Sequence, residues 1–310
     1  MDSKTAFTLG FLIALLLSGC SSVDGELREA DAKRRIDVFI LATDRATGDA
    51  VHDRLQDVEN LPVLEASPET WFQGHLTGMR DGSVYSIVVG QVGGADDTSA
   101  RALMRKARSL LQPRYVLILG TVPAVAYDEP LGAVGVVTLV CDFDLERFQE
   151  SRDIGKCHRP DAGLFTAARS MSDEWAATAA TETTRAGCSP ARVMKLATLS
   201  GARDPGPGFV EVATTLSEDF HRGLMIEREG IWVAEDVQRL RYDRRKPIGF
   251  LMIRGVSEVR VPGEWREADL EAGEREQRML QETCAARDTA DFAVSLIRKR
   301  WPVSSYFSDH

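Results

Sequence analysis

The 310-residue sequence is poor in histidine, in cysteine and in positive charge. Only five histidines and five cysteines occur, and no Cys-x-x-Cys or His-rich spacing is present, so no metal ligand set is legible and none is expected. Lysine and arginine total 38 against 47 aspartate and glutamate, a formal charge of −9. An acidic chain without a basic stripe argues against wrapping nucleic acid, while a local positive spot still suits a small anion. Beyond the first apolar run near the N-terminus, no segment has the roughly 20 apolar residues that a membrane-crossing helix needs. A dinucleotide fingerprint is missing too, since no Gly-x-Gly-x-x-Gly leads from the first strand. There is no internal repeat or low-complexity tract.

What is present begins at the N-terminus. Lys4 gives a short positive start, and Ala6 to Leu17 is apolar except for Thr8 and Gly10. That run is too short to span, so residues 1–19 read as an export signal. Leu17-Ser18-Gly19-Cys20 resembles the lipobox of bacterial lipoproteins. The resemblance implies acylation of Cys20, each buried methylene adding roughly 0.8 kcal/mol to membrane attachment. Residues 20–34 then form a polar tether, and Ser21 resembles the outer-membrane sorting signal of Gram-negative cells. The expected location is the cell envelope, anchored by lipid at the periplasmic face of the outer membrane. Cys141, Cys157, Cys188 and Cys284 allow three complete pairings, which an oxidising compartment permits without requiring.

From Ile36 onward the pattern is that of one α/β domain over residues 35–298, followed by a tail at 299–310. Ile36 to Ala42 contains a continuous apolar run of the kind buried on both faces of a parallel sheet. A short helix is expected over Asp49 to Val58. Trp71 to Leu76 and Ser83 to Val89 read as strands joined by the turn Met79-Arg80-Asp81-Gly82. Ala95 to Leu111 reads as a helix stopped by Pro113, and Tyr115 to Leu119 as a buried strand closed by Gly120. Strand, helix and strand in this order imply a mostly parallel sheet with helices on both faces. Strands follow at Val134 to Val140, Met194 to Leu199, Leu224 to Ile226 and Ile248 to Ile253. Helices are expected at Thr214 to Phe220, Ile231 to Leu240 and Glu274 to Ile297. Residues 142–190 are polar and read as a long surface insertion with a helix around Ser172 to Thr184.

Ligands of open α/β sheets sit beyond the carboxyl ends of the strands. Four places qualify: Thr43-Asp44-Arg45, Gly90-Gln91-Val92-Gly93-Gly94, Gly120-Thr121 and Arg254-Gly255-Val256-Ser257-Glu258. Close glycines let a ligand approach the backbone, although packing alone also selects tight glycine turns. Ile226-Glu227-Arg228-Glu229-Gly230 is more specific, because carboxylates two positions apart point in different directions. One suits a vicinal diol, and the other a partner within the protein. Glu258 suits proton donation to a leaving group from a cleft, or simply an ion pair with Arg254.

In their order, these segments resemble the purine nucleoside and uridine phosphorylase superfamily, which includes the methylthioadenosine/S-adenosylhomocysteine nucleosidases. The resemblance rests on Ile36 to Leu41, Val88 to Gly93, Tyr115 to Gly120 with Leu131 to Val137, Ile226 to Gly230, Phe250 to Glu258 and the alanine-rich Cys284 to Ala293. It implies a three-layer nucleoside-phosphorylase-like domain with a mixed, mostly parallel central sheet, and a homo-oligomer, as members are commonly dimers, trimers or hexamers. By the same resemblance, Glu229 binds the ribose hydroxyls and Glu227 lines or supports the sugar site. Glu258 stands where the family's Asp protonates the leaving purine. Gly90, Gly93 and Gly94 face phosphate in a phosphorylase, or the sugar and attacking water in a hydrolase. Arg254 and Ser257 belong to the same motif as Glu258, and Phe209 is the candidate aromatic contact to the base.

Three departures bear on activity. The family's glycine-rich loop is here Gly120-Thr121-Val122-Pro123-Ala124, and no Glu follows the first strand to activate water. Asp44 is the candidate replacement base, or Arg45 the candidate phosphate ligand. Arg228 puts a charge between the two glutamates. The expected function is N-glycosidic cleavage of a purine nucleoside or related compound, with water or inorganic phosphate as co-substrate. The alternative is a catalytically weakened or inactive lipoprotein that binds a nucleoside-like ligand or another envelope protein.

Overall fold

The computed structural model describes residues 34–61, 70–92, 97–125, 131–151, 155–181, 187–189, 191–200, 212, 216, 223–227, 230–243, 248–259 and 272–302. The first strand, β1 (Arg34–Ala42), carries the apolar run read above, and Val38 to Ala42 are fully buried. Helix α1 (Arg45–His52) starts and stops earlier than the apolar spacing suggests, because Asp44 caps it. Next come β2 (Gln56–Asn60) and the hairpin of β3 (Thr70–Thr77) and β4 (Val84–Gln91). Its connection includes Gly82 at φ 68°, a backbone shape that glycine adopts without steric cost.

After α2 (Asp97–Leu110), the strand β5 (Leu111–Val125) is 15 residues long. It does not end at Gly120 as its sequence suggests, since pairing to a second neighbour carries it onward. The chain continues through β6 (Val134–Asp142), α3 (Leu145–Ser151), β7 (Cys157–His158), α4 (Ala162–Ala179), β8 (Val193–Ser200) and β9 (Gly223–Glu227). It finishes with α5 (Gly230–Asp243), β10 (Gly249–Val259) and α6 (Ala272–Arg300). The helix expected over Thr214 to Phe220 lies almost wholly outside the described residues.

One mixed sheet organises the domain, with helices on its faces. Parallel pairing runs β4-β1-β5-β10 through the middle, and β3 and β2 extend it by antiparallel pairing. The first part of β5 pairs with β1, and where β1 ends, Ala124 and Val125 take up β9 instead. Strands β10, β6, β8 and β9 then return to β5, so five strands close into a ring. Closure removes the free edges these strands would otherwise expose.

The residue 142–190 stretch is more than a surface excursion. Helix α4 buries Leu164, Ala168, Met171, Trp175 and Ala179, spacings of three and four that put them on one face. Asp161 starts it by accepting from the N–H groups of Gly163 and Leu164 at 2.9 and 3.0 Å. That face packs in the same core as α6 residues Ala290, Phe292 and Leu296. Two disulfides close, Cys141–Cys157 between β6 and β7, and Cys188–Cys284 onto α6.

Candidate functional site

Residues at the carboxyl ends of β1 and β9 meet the middle of β10 through one buried guanidinium. Arg254 on β10 stands in register with Gly120 on β5 and is fully buried. It shares a sheet face with Phe250 and Met252, whose cluster also holds Phe39 and Leu41 from β1. Its Nη1 donates to Thr43 Oγ1 and its Nη2 to Glu227 Oε2. Thr43 Oγ1 in turn donates to the carbonyl oxygen of Leu119 at 3.2 Å. Gly120 is needed beneath this bridge, because a Cβ there would lie 2.0 Å from Thr43 Oγ1 and 2.6 Å from Arg254 Nη1.

Glu227 does two things at once. Its Oε2 pairs with Arg254, and its Oε1 accepts from the Gly230 N–H at 2.8 Å. Ser200 Oγ accepts the next helical N–H, from Ile231, at 3.1 Å. The first turn of α5 is therefore capped from β9 and β8 rather than by water. A Cβ on Gly230 would sit 2.1 Å from Glu227 Oε1, which is why glycine opens the helix. Glu227 thus supports the site's frame. Glu229 belongs to the undescribed residues, as do Gly93, Gly94, Phe209 and Cys20.

Asp44 is engaged in a similar way. Its Oδ1 accepts from the Thr47 N–H at 2.7 Å, and its Oδ2 accepts from the Thr121 N–H at 2.7 Å and from Thr47 Oγ1 at 3.0 Å. A carboxylate satisfied this fully is a helix cap and a strand tie. Arg45 projects into solvent beside Asp49 at 3.4 Å and is not turned toward the strand ends. Gly90 makes room for a helix: a Cβ there would strike Leu103 of α2 at 2.7 Å. Gly120 and Thr121 lie within β5, and Arg254 to Glu258 within β10, rather than in loops after them.

Glu258 departs from the geometry expected of it. The β10–β5 register slips between Val256 and Glu258, opposite Pro123, which has no N–H to give a neighbouring strand. Ser257, half-buried, is the residue passed over. The slip turns Glu258 to the face opposite Arg254, toward α6, where Arg278 Nη2 donates to it at 2.8 Å. Glu258 and Glu227 are consequently not brought onto one face.

Sequence reasoning missed two participants, Ser200 and Arg278, and named Thr43 only as part of a strand-end segment. Thr43 is a hydroxyl directly after a buried strand, a signal that was available. Arg278, on α6, carries no local sign of its place beside β10. Burial first, then the negative charges of Asp44 and Glu258, push the Glu282 carboxyl above its ordinary value, and Arg278 opposes them. Among the described residues, no group of three or more His, Cys, Asp or Glu side chains is arranged to hold a metal ion.

Solved structures share this architecture. A 5'-methylthioadenosine/S-adenosylhomocysteine nucleosidase from Colwellia psychrerythraea, in complex with adenine, superposes with a TM-score of 0.62 at 16% identity, over 84% of this chain and 94% of that one. The chain has the nucleosidase fold. The Neisseria meningitidis enzyme, in complex with methylthio-immucillin-A, gives 0.61 at 15% identity, over 84% and 98% of the two chains. The Campylobacter jejuni enzyme gives 0.60 at 15%, over 85% and 99%. No family model and no curated relative matches the sequence. Relative to these nucleosidases, which it nearly spans, the chain keeps the fold at low identity, so its own side chains decide its chemistry.

Proposed function

We propose that the protein binds a purine nucleoside or a related compound at the carboxyl ends of β1, β5, β9 and β10 and cleaves its N-glycosidic bond. The observation that carries this reading is the buried Arg254 bridge on a nucleosidase fold. It ties Glu227, and through it the Gly230 N–H at the start of α5, to Thr43 after β1. Glu229 then fixes the ribose hydroxyls, and the bond breaks as positive charge develops at C1′. Water is the preferred nucleophile, because the solved structures that share the fold are nucleosidases and Arg45, the candidate phosphate ligand, projects into solvent.

The test is release of free base from a nucleoside panel that includes 5'-methylthioadenosine, with and without phosphate. Release without phosphate is expected, with a loss on the order of 10²-fold or more in Glu229→Ala, the size expected when a group that orients the substrate is removed. A second reading, ligand binding without turnover, is favoured by the structural duties of Asp44 and Glu258. Nucleoside-dependent melting shifts with no base released from any substrate would establish it.

We further infer, from the lipobox resemblance, a lipid anchor at Cys20, and the two disulfides are compatible with an oxidising compartment. Labelled palmitate is expected to enter the wild-type protein expressed in bacteria. Equal incorporation into Cys20→Ser would refute the anchor.

A further inference from the structure

We propose that the end of the sheet opposite the candidate site is a docking face for an anionic phospholipid surface, with the carboxyl ends of the strands turned away from it. This goes beyond the cleavage proposed above, and it draws on the Cys20 anchor only for the choice of partner. Strands β1, β4, β5 and β10 run parallel, so their amino ends lie at one end of the sheet. Arg34 and Arg35 open β1 in register with Leu111 and Gln112 of β5, and both are exposed. Arg114 on β5 is exposed too, its Cζ 5.3 Å from the centre of the Tyr115 ring.

The turn from β3 into β4 adds the exposed Arg80, and its Met79 N–H donates to the Arg298 carbonyl oxygen at 2.6 Å. That bond sets the basic last turn of α6, Arg298-Lys299-Arg300, on the same end. Two large apolar side chains stand out among these cations, Met79 at 66% and Val84 at 63% exposure. The carboxylates nearby are engaged: Asp37 accepts from the Ser86 N–H and hydroxyl, Asp81 from the Ser83 N–H and hydroxyl, and Glu174 pairs with Lys299 and Arg300. Exposed arginine and protruding apolar side chains on one face suit a lipid surface, which offers phosphate to the first and acyl chain to the second.

The choice of a membrane follows from where the chain enters. Cys20 stands 14 residues before Arg34, a span of at most about 50 Å, and the tether meets the domain at this end, so lipid and cations act on the same side. The formal charge of −9 does not oppose this, because charges act over only about 8 Å at physiological ionic strength and the surface meets the arginines first. At about 3.3 Å per residue, β1 then lifts Thr43 about 25 Å above the lipid. The candidate site is left open to solutes.

The experiment is cosedimentation of the full chain carrying Cys20→Ser, which has no acyl group, with phosphatidylcholine vesicles and with vesicles that also contain phosphatidylglycerol. The apolar run of residues 6–17 favours both alike, so the ratio of the two affinities reads the face. The ratio is expected to be on the order of 10², and Arg34→Gln/Arg35→Gln/Arg114→Gln/Arg298→Gln to lose most of it, at roughly fivefold per basic residue. A fluorophore at Val84→Cys gives a readout that needs no charge change: lipid with a quenching headgroup is expected to dim it. The same fluorophore at Arg45→Cys, after the carboxyl end of β1, is expected to stay bright. Equal binding to the two vesicles, equal quenching at the two positions, or a quadruple variant that melts with the parent and keeps the full ratio overturns the docking face. Since the acyl group is absent throughout, these results are independent of the palmitate labelling that tests the anchor and of the base release that tests cleavage.

Discussion

Arg254→Met is expected to lower stability by about 3–5 kcal/mol, because it strands the Glu227 carboxylate in the interior without its cation. In a domain of this size that corresponds to a melting temperature reduced by on the order of 10 °C. Arg254 has no solvent exposure and Glu227 almost none, so water cannot replace the missing partner. The second substitution is the informative one. Glu227→Gln removes the charge but keeps an oxygen for the Gly230 N–H, so Arg254→Met with Glu227→Gln should recover much of the loss. Chemical denaturation of the wild type, both single variants and the double variant measures the coupling. If the double variant loses the sum of the single losses, the two side chains are not an interdependent pair and the bridge does not hold the strand ends together.

Opening the Cys188–Cys284 disulfide should cost more than opening Cys141–Cys157. The first joins positions 96 residues apart and the second 16. Loop-closure entropy gives about 4.7 kcal/mol for a 100-residue loop and about 3 kcal/mol for a 15-residue one. Cys188→Ser/Cys284→Ser also frees the turn that Gln281 grips, so it loosens the first half of α6. Thermal melts of the two double-serine variants under non-reducing conditions give the order. Equal losses, or a larger loss at Cys141–Cys157, would show that the tie to α6 is not what the long loop's closure stabilises.

Much of the frame was legible in residue order. Continuous apolar runs marked β1, β5 and β10 because strands covered on both faces need no polar side, and the alanine-rich C-terminal stretch marked α6. Helix α4 was read only in its second half, as a helix around Ser172 to Thr184, since its buried residues are separated by charged and hydroxyl side chains and only the spacing of Leu164, Ala168, Met171 and Trp175 betrays its face. Strand lengths were less legible. Nothing local to Gly120 says that β10 and then β9 will extend β5 to Val125.

The site divides along the same line. Residue order determined which side chains gather at the strand ends: Thr43 and Asp44 after one apolar run, Glu227 before a helix, and Arg254 to Glu258 closing the last strand. Only the tertiary structure decided what each of them faces. Arg254 and Thr43 are 211 residues apart, Glu258 was turned to α6 by a register slip opposite Pro123, and Arg278 meets it from a helix no motif connects to the site. The physical reason is that apolar periodicity is a property of a short stretch, whereas the duty of a polar side chain is set by the partners that distant segments bring within hydrogen-bonding reach.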